Sequence, residues 1–179
     1  LKLIDEDEAS NDPDTTFLLG SIYSQGIGTK VDFHKGYKFL LRSAALGHSD
    51  AIGLLDVIEN KIAQKKITDL QDEVFKAWLE NKEFGKTIDV ALTGNKSVIR
   101  ELSLAFRNGD TVPRNYFQSY VWAIIGSALG DTISENLREG FWSASLNGRI
   151  FTSEDIDRAQ KKAAVVWNTK IQENILGKK

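Results

Sequence analysis

The chain has 179 residues, 41% of them hydrophobic, enough to bury a genuine core in one domain or two small ones. With 23 basic against 25 acidic residues and a net charge of −2, it has no electrostatic footprint for nucleic acid or an anionic membrane. It has no cysteine, which excludes disulfides, thiol nucleophiles and thiolate metal sites. No apolar run approaches the roughly 20 residues needed to span a bilayer, so no membrane insertion is expected.

The opening stretch 1–12 is acidic at Asp5, Glu6, Asp7 and Glu8 and reads as a solvated tail, without the glycine and spaced ligands of a calcium loop. The chain begins at Leu1 without methionine, as a processed or trimmed polypeptide would. Only Pro13 and Pro113 interrupt it, and alternating β-branched runs are few, so the expectation is all-α. Asp12-Pro13 predicts a helix start, with proline at a position whose N–H is not needed. Phe17, Leu18, Ile22 and Tyr23 recur at three- and four-residue spacing as its apolar face, and Gly26-Ile27-Gly28 stops it. Asp32 is the cap of the next helix, with Gly36, Tyr37, Leu40, Leu41, Ala44 and Ala45 as one face and Gly47 as its end.

This helical hairpin recurs. Sliding the sequence by 83 places puts Leu19 on Leu102, Tyr23 on Phe106, Gly26 on Gly109, Asp32 on Asn115, Tyr37 on Tyr120 and Gly47 on Gly130. After a small insertion near 132–136 the offset becomes 89, with Ile67 on Ile156, Gln71 on Gln160 and Trp78 on Trp167. Fixed-period self-similarity marks a solenoid, whose hairpins bury their apolar faces by stacking. The stretch 84–95 reads equally as a short helix ended by Gly94 or as a linker. Thr152 with Asp155 predicts a capping box, opening a closing helix with Ile156, Ala159, Ala163, Trp167 and Ile171 as its apolar stripe.

The residues Leu19, Gly20, Tyr23, Gly26, Gly28, Asp32, Lys35, Ala44, Ala45 and Gly47 resemble the SEL-one-like repeat, a tetratricopeptide relative. The second copy keeps Phe106, Gly109, Val112, Asn115, Trp122, Ala128 and Gly130 but has Ser103 for the helix glycine and Thr111 for the second turn glycine. The resemblance implies an α/α superhelix, a short solenoid of antiparallel hairpins with about eight helices. The expected divisions are the tail 1–12, a repeat with a degenerate companion at 13–95, and a second repeat with capping helices at 96–179. It also implies a protein-protein adaptor or scaffold that binds its partner on a concave helical surface. Many members work in bacterial envelopes, which favours periplasm or envelope, with self-association as a further expectation. A second implied role is that of an immunity protein neutralising a secreted bacterial toxin such as a lipase effector.

Catalytic chemistry finds no support in the residues. His34 and His48 are the only histidines, 14 apart near opposite ends of a hairpin, and read as loop or cap residues. Ser21, Ser43 and Ser127 lie in helical runs without a nucleophile elbow, and the glycines of the 20–28 stretch follow a helix rather than a strand. No enzyme activity, cofactor or metal is therefore expected. Trp78, Trp122 and Trp167 read as interhelical packing. Trp142 has no partner in the first half, where about Leu54 would stand, and reads equally as an exposed tryptophan of an interface or as packing at the end of the solenoid. On helical spacing the outward polar positions of the first helices are Ser21, Ser24 and Gln25 in one half and Arg100, Arg107 and Asn108 in the other, and these, with Trp142, are the candidate partner-binding residues.

Overall fold

A computed structural model describes residues 12–80, 82–146 and 151–176. Among them there are helices and turns and no strand. The helices are α1 (Pro13–Gln25), α2 (Phe33–Ala45), α3 (Ser49–Glu59), α4 (Gln64–Trp78), α5 (Lys82–Leu92), α6 (Lys96–Asn108), α7 (Tyr116–Ala128), α8 (Thr132–Leu146) and α9 (Ser153–Val166). The last runs on through a π-helical turn, Trp167–Ile171, into α10 (Gln172–Leu176). Residues 82–92 are a helix rather than a linker, held by buried Phe84 edge-on to Phe106 with centroids 5.9 Å apart. The acidic tail lies outside the described residues, apart from Asp12.

The caps are where the sequence puts them. Asp12 Oδ2 accepts from the Thr15 N–H at 2.7 Å and Asp32 Oδ1 from the Lys35 N–H at 2.9 Å, satisfying donors a helix start leaves unpaired. Thr152 and Asp155 form a reciprocal capping box at α9. Gly26 ends α1 with φ +73° and Gly109 ends α6 with φ +78°, a conformation that costs a side chain its Cβ clearance. Gly28 is also left-handed, but Thr111 is not, so the two turns differ beyond the first glycine.

The chain divides into two compact units, one of residues 12–78 with Asn108–Asn115, the other of residues 79–107 with 116–176. In the first, α2 is the helix on which α1, α3 and α4 pack, and its whole predicted face is buried. In the second, its counterpart α7 carries α8 and α9. Tyr120, Phe141 and Phe151 meet there with centroids 5.5 to 5.7 Å apart and form the aromatic heart of the unit.

α1 is rotated from the face its apolar residues suggest. Thr16, Leu19, Gly20 and Ser24 are buried, while Leu18 is exposed and Phe17 and Ile22 are half-buried. The cause is the approach of α1 to α2: a Cβ on Gly20 would stand 2.8 Å from Leu40 Cγ, and one on Gly36 would stand 3.0 Å from both the Gly20 carbonyl oxygen and the Ser24 nitrogen. The small residues turn inward because the backbones meet there. In the second copy, Ser103 and Ser119 replace this glycine pair. Each hydroxyl donates to the other residue's backbone carbonyl, at 2.8 and 2.7 Å, so the same crossing is held by two buried hydrogen bonds. Trp122 is buried as expected, but Trp78 and Trp167 are only half-buried. At Trp167 the helix widens into the π turn, so the stripe is carried by Ile156, Ala159, Ala163 and Ile171.

Candidate functional site

The first unit contains a filled socket. Tyr37, wholly buried on α2, donates its hydroxyl to Glu59 Oε1 at 2.6 Å and accepts from Gln71 Nε2 at 2.9 Å. Glu59 also receives the guanidinium of Arg114, from the turn 109–115, at 3.2 Å, and the same Nη1 reaches Asp56 Oδ1 at 2.6 Å. Arg114 Nε and Nη2 donate to the Asn108 carbonyl at 3.3 and 3.2 Å. With 5% of its side chain exposed, Arg114 is a buried cation made tolerable by two carboxylates and a carbonyl. Asn115 beside it donates to Asp72 Oδ1 at 2.9 Å. The sequence reading did not single out Arg114. An isolated arginine after Pro113, in a turn otherwise of small and polar residues, was the available signal.

The second unit has an open cleft of about 470 Å³ at the corresponding place, between α7, α8 and α9. Tyr120 and Ile124 of α7, Arg138, Glu139 and Trp142 of α8, and Gln160 of α9 line it. Tyr120 is buried and hydrogen-bonded to Gln160, and burial raises its hydroxyl pKa above the usual value against the effects of Gln160 and Arg138. Trp142 is 49% exposed at the lip. Arg138 reaches Glu135 and Glu139 only at 3.8 Å each, a long separation for an ion pair.

The buried residues of α8 correct the register assumed for Trp142. Ala51 and Ile58 of α3 are buried, and so are Ser134 and Phe141 of α8, each 83 places on. The offset of 83 therefore still holds here, and Trp142 stands where Glu59 stands, not Leu54. The insertion falls later than residue 136.

The other candidates scatter. Ser21, half-buried, and Gln25, exposed, share the outward face of α1 with Asp14 and Leu18, opposite the buried Thr16, Leu19 and Gly20. Ser24 is not outward: it is 6% exposed and faces Gly36. Helical phase puts it a full turn beyond Gly20, on the crossing with α2. Arg100 is half-buried and already engaged, with Nη1 3.2 Å from Asp131 Oδ2 and Nη2 donating to Ser97 Oγ at 3.1 Å. Asp131 also accepts from the Ser134 N–H at 2.8 Å, so Arg100 supports the start of α8. Arg107 is exposed in the last turn of α6, and exposed Asn108 supplies the carbonyl that receives Arg114. Among these residues only Trp142 lines the cleft of the second unit.

Sequence reasoning missed Tyr120, Glu139 and Gln160 as cleft residues. The offset alignment had paired Tyr37 with Tyr120 and Gln71 with Gln160, and the hydrogen bond between them is present in both units.

A second hollow, of about 430 Å³, lies between α2 and α4 of the first unit. Its charges are partly spent: Lys38 pairs with Glu73 at 2.8 Å and Lys35 stands over the Tyr23 ring at 4.3 Å. The Lys38 hydrogen bond holds the Glu73 carboxyl below its usual pKa. His34 lines this hollow, while His48 precedes α3 and stacks on Phe17 with centroids 4.1 Å apart. Among the described residues no group of three or more histidine, cysteine, aspartate and glutamate side chains is placed to hold a metal ion.

A family model described as the Sel1 repeat matches residues 13–48 and 99–131, which are the two hairpins α1–α2 and α6–α7 with the turns that close them. The chain carries two Sel1-like repeats. Sel1 repeats are in general protein-protein interaction modules, and proteins built from them are typically non-catalytic. No curated protein matches the chain. Tyr120 and Ile124 of the cleft lie inside the second matched stretch, while Arg138, Glu139, Trp142 and Gln160 lie beyond it.

Proposed function

We propose that this chain is a non-catalytic docking module, an adaptor or scaffold, and that it receives a partner protein at the cleft of its second unit. The observation that carries the reading is Trp142, half-exposed at the lip of a concavity floored by Tyr120 and flanked by Arg138. Tryptophan, tyrosine and arginine around a pocket are the residue types that concentrate binding energy at protein interfaces. A preformed cleft on packed helices also spares the receptor the entropy of ordering itself.

The test is quantitative affinity capture from the source cell with the purified chain, compared with Trp142→Ala. Stoichiometric protein partners that the variant loses support the reading. Partners retained by the variant refute the cleft as the site. If a captured partner is an enzyme silenced in the complex, the module acts as an inhibitor, the immunity role, rather than as an adaptor.

A further inference from the structure

The filled socket and the open cleft are built from equivalent positions. Residues 37, 41, 56 and 59 advance by 83 to 120, 124, 139 and 142, and residue 71 advances by 89 to 160. Tyr37 with Gln71 becomes Tyr120 with Gln160, hydrogen-bonded in both units. Asp56, which receives Arg114 at 2.6 Å, becomes Glu139, which keeps the carboxylate. Glu59, the second acceptor, becomes Trp142. Where the first unit holds an arginine-bearing turn, the second holds an open cleft of about 470 Å³.

We propose that the cleft of the second unit is the receptor for an arginine-bearing turn of the partner protein, seated as the Gly109–Asn115 turn is seated in the first unit. This rests on the docking reading above and names its partner chemistry. The guanidinium pairs with Glu139, as Arg114 pairs with Asp56, and lies against the Trp142 ring, a favourable surface for a planar cation. The tryptophan thus takes over from the second carboxylate. Arg138 stands where the first unit has buried Leu55, and its 3.8 Å contacts with Glu135 and Glu139 are loose enough for an incoming guanidinium to displace it from Glu139. The order of binding strength that follows is arginine above lysine, since lysine offers no planar face.

The probe is a cyclised peptide with the sequence of residues 108–115, Asn-Gly-Asp-Thr-Val-Pro-Arg-Asn, titrated into the full chain and followed by calorimetry and tryptophan fluorescence. Saturable binding is expected, weakened at least tenfold when the peptide arginine is alanine and by a similar factor in Glu139→Gln and Trp142→Ala chains. A peptide with glutamate in place of the arginine should recover binding to Glu139→Arg. Absence of binding, or binding indifferent to the peptide arginine or to Glu139, overturns the inference. If captured partners still depend on Trp142 in that case, the docking reading stands and only the partner chemistry is wrong; if they do not, both fall.

Discussion

Replacing Gly36 by alanine tests the close crossing of α1 and α2 directly. The new Cβ would lie 3.0 Å from the Gly20 carbonyl oxygen and 3.0 Å from the Ser24 nitrogen, with the Ser24 hydroxyl closer still. The first two are backbone atoms of α1, so no rotamer change relieves them, and α1 must move away from α2 by a few tenths of an ångström. Overpacking of this kind costs about 1–3 kcal/mol, and a rigid backbone partner puts the site in the upper part of that range. Alanine offsets about 1 kcal/mol through its better helix propensity. A net loss of about 1–2 kcal/mol remains, which for a chain of this size is a fall in melting temperature of about 2–8 °C. Gly53 of α3 is the matched control: nothing lies within 4 Å of its would-be Cβ, so Gly53→Ala should gain up to about 1 kcal/mol. Circular-dichroism melts and urea titrations of both variants give the answer. If Gly36→Ala melts at or above the wild-type temperature, the crossing is not as close as described and the account of α1's rotation is wrong.

The second crossing should respond to the opposite change: Ser103→Ala with Ser119→Ala removes two buried hydrogen bonds and should cost about 1–3 kcal/mol, read by urea unfolding. Arg114→Ala should lower stability by about 2–3 kcal/mol, at or below the bottom of the range for breaking a buried pair because Asp56 is 68% exposed and recovers solvation; a change under 0.5 kcal/mol would contradict the socket. At Asp131 burial raises the pKa, but the Ser134 N–H and the Arg100 guanidinium outweigh it and hold the carboxyl below the usual range. A folded-state pKa below the unfolded one gives stability that is full above about pH 4 and is lost as pH falls through the folded value. Asp131→Asn should therefore be less stable at neutral pH and show a shallower loss on acidification, measured by melting temperature from pH 7 to pH 3.

The sequence by itself determined the hairpins and their repetition, because those depend on local physics. Asp12, Asp32 and Thr152 can satisfy helix-start donors wherever the rest of the chain goes, and Gly26 and Gly109 supply a left-handed residue that a neighbour cannot. The face of α2 was legible for the same reason: its apolar residues recur strongly enough at helical spacing to define one side. α1 was not, because Leu18 and Ile22 compete with Leu19 for that role and only the approach of Gly20 to Gly36 decides which way the helix turns. The stretch 84–95 was equally undecided until Phe84 found Phe106. The tertiary structure alone paired Arg114 with Asp56 and Glu59 over 58 and 55 residues of chain, since a charge pair at that separation leaves no periodic trace. It also turned a tryptophan without an apparent counterpart into the counterpart of Glu59, because the register of a repeat is fixed by which residues are buried, not by where an insertion is drawn.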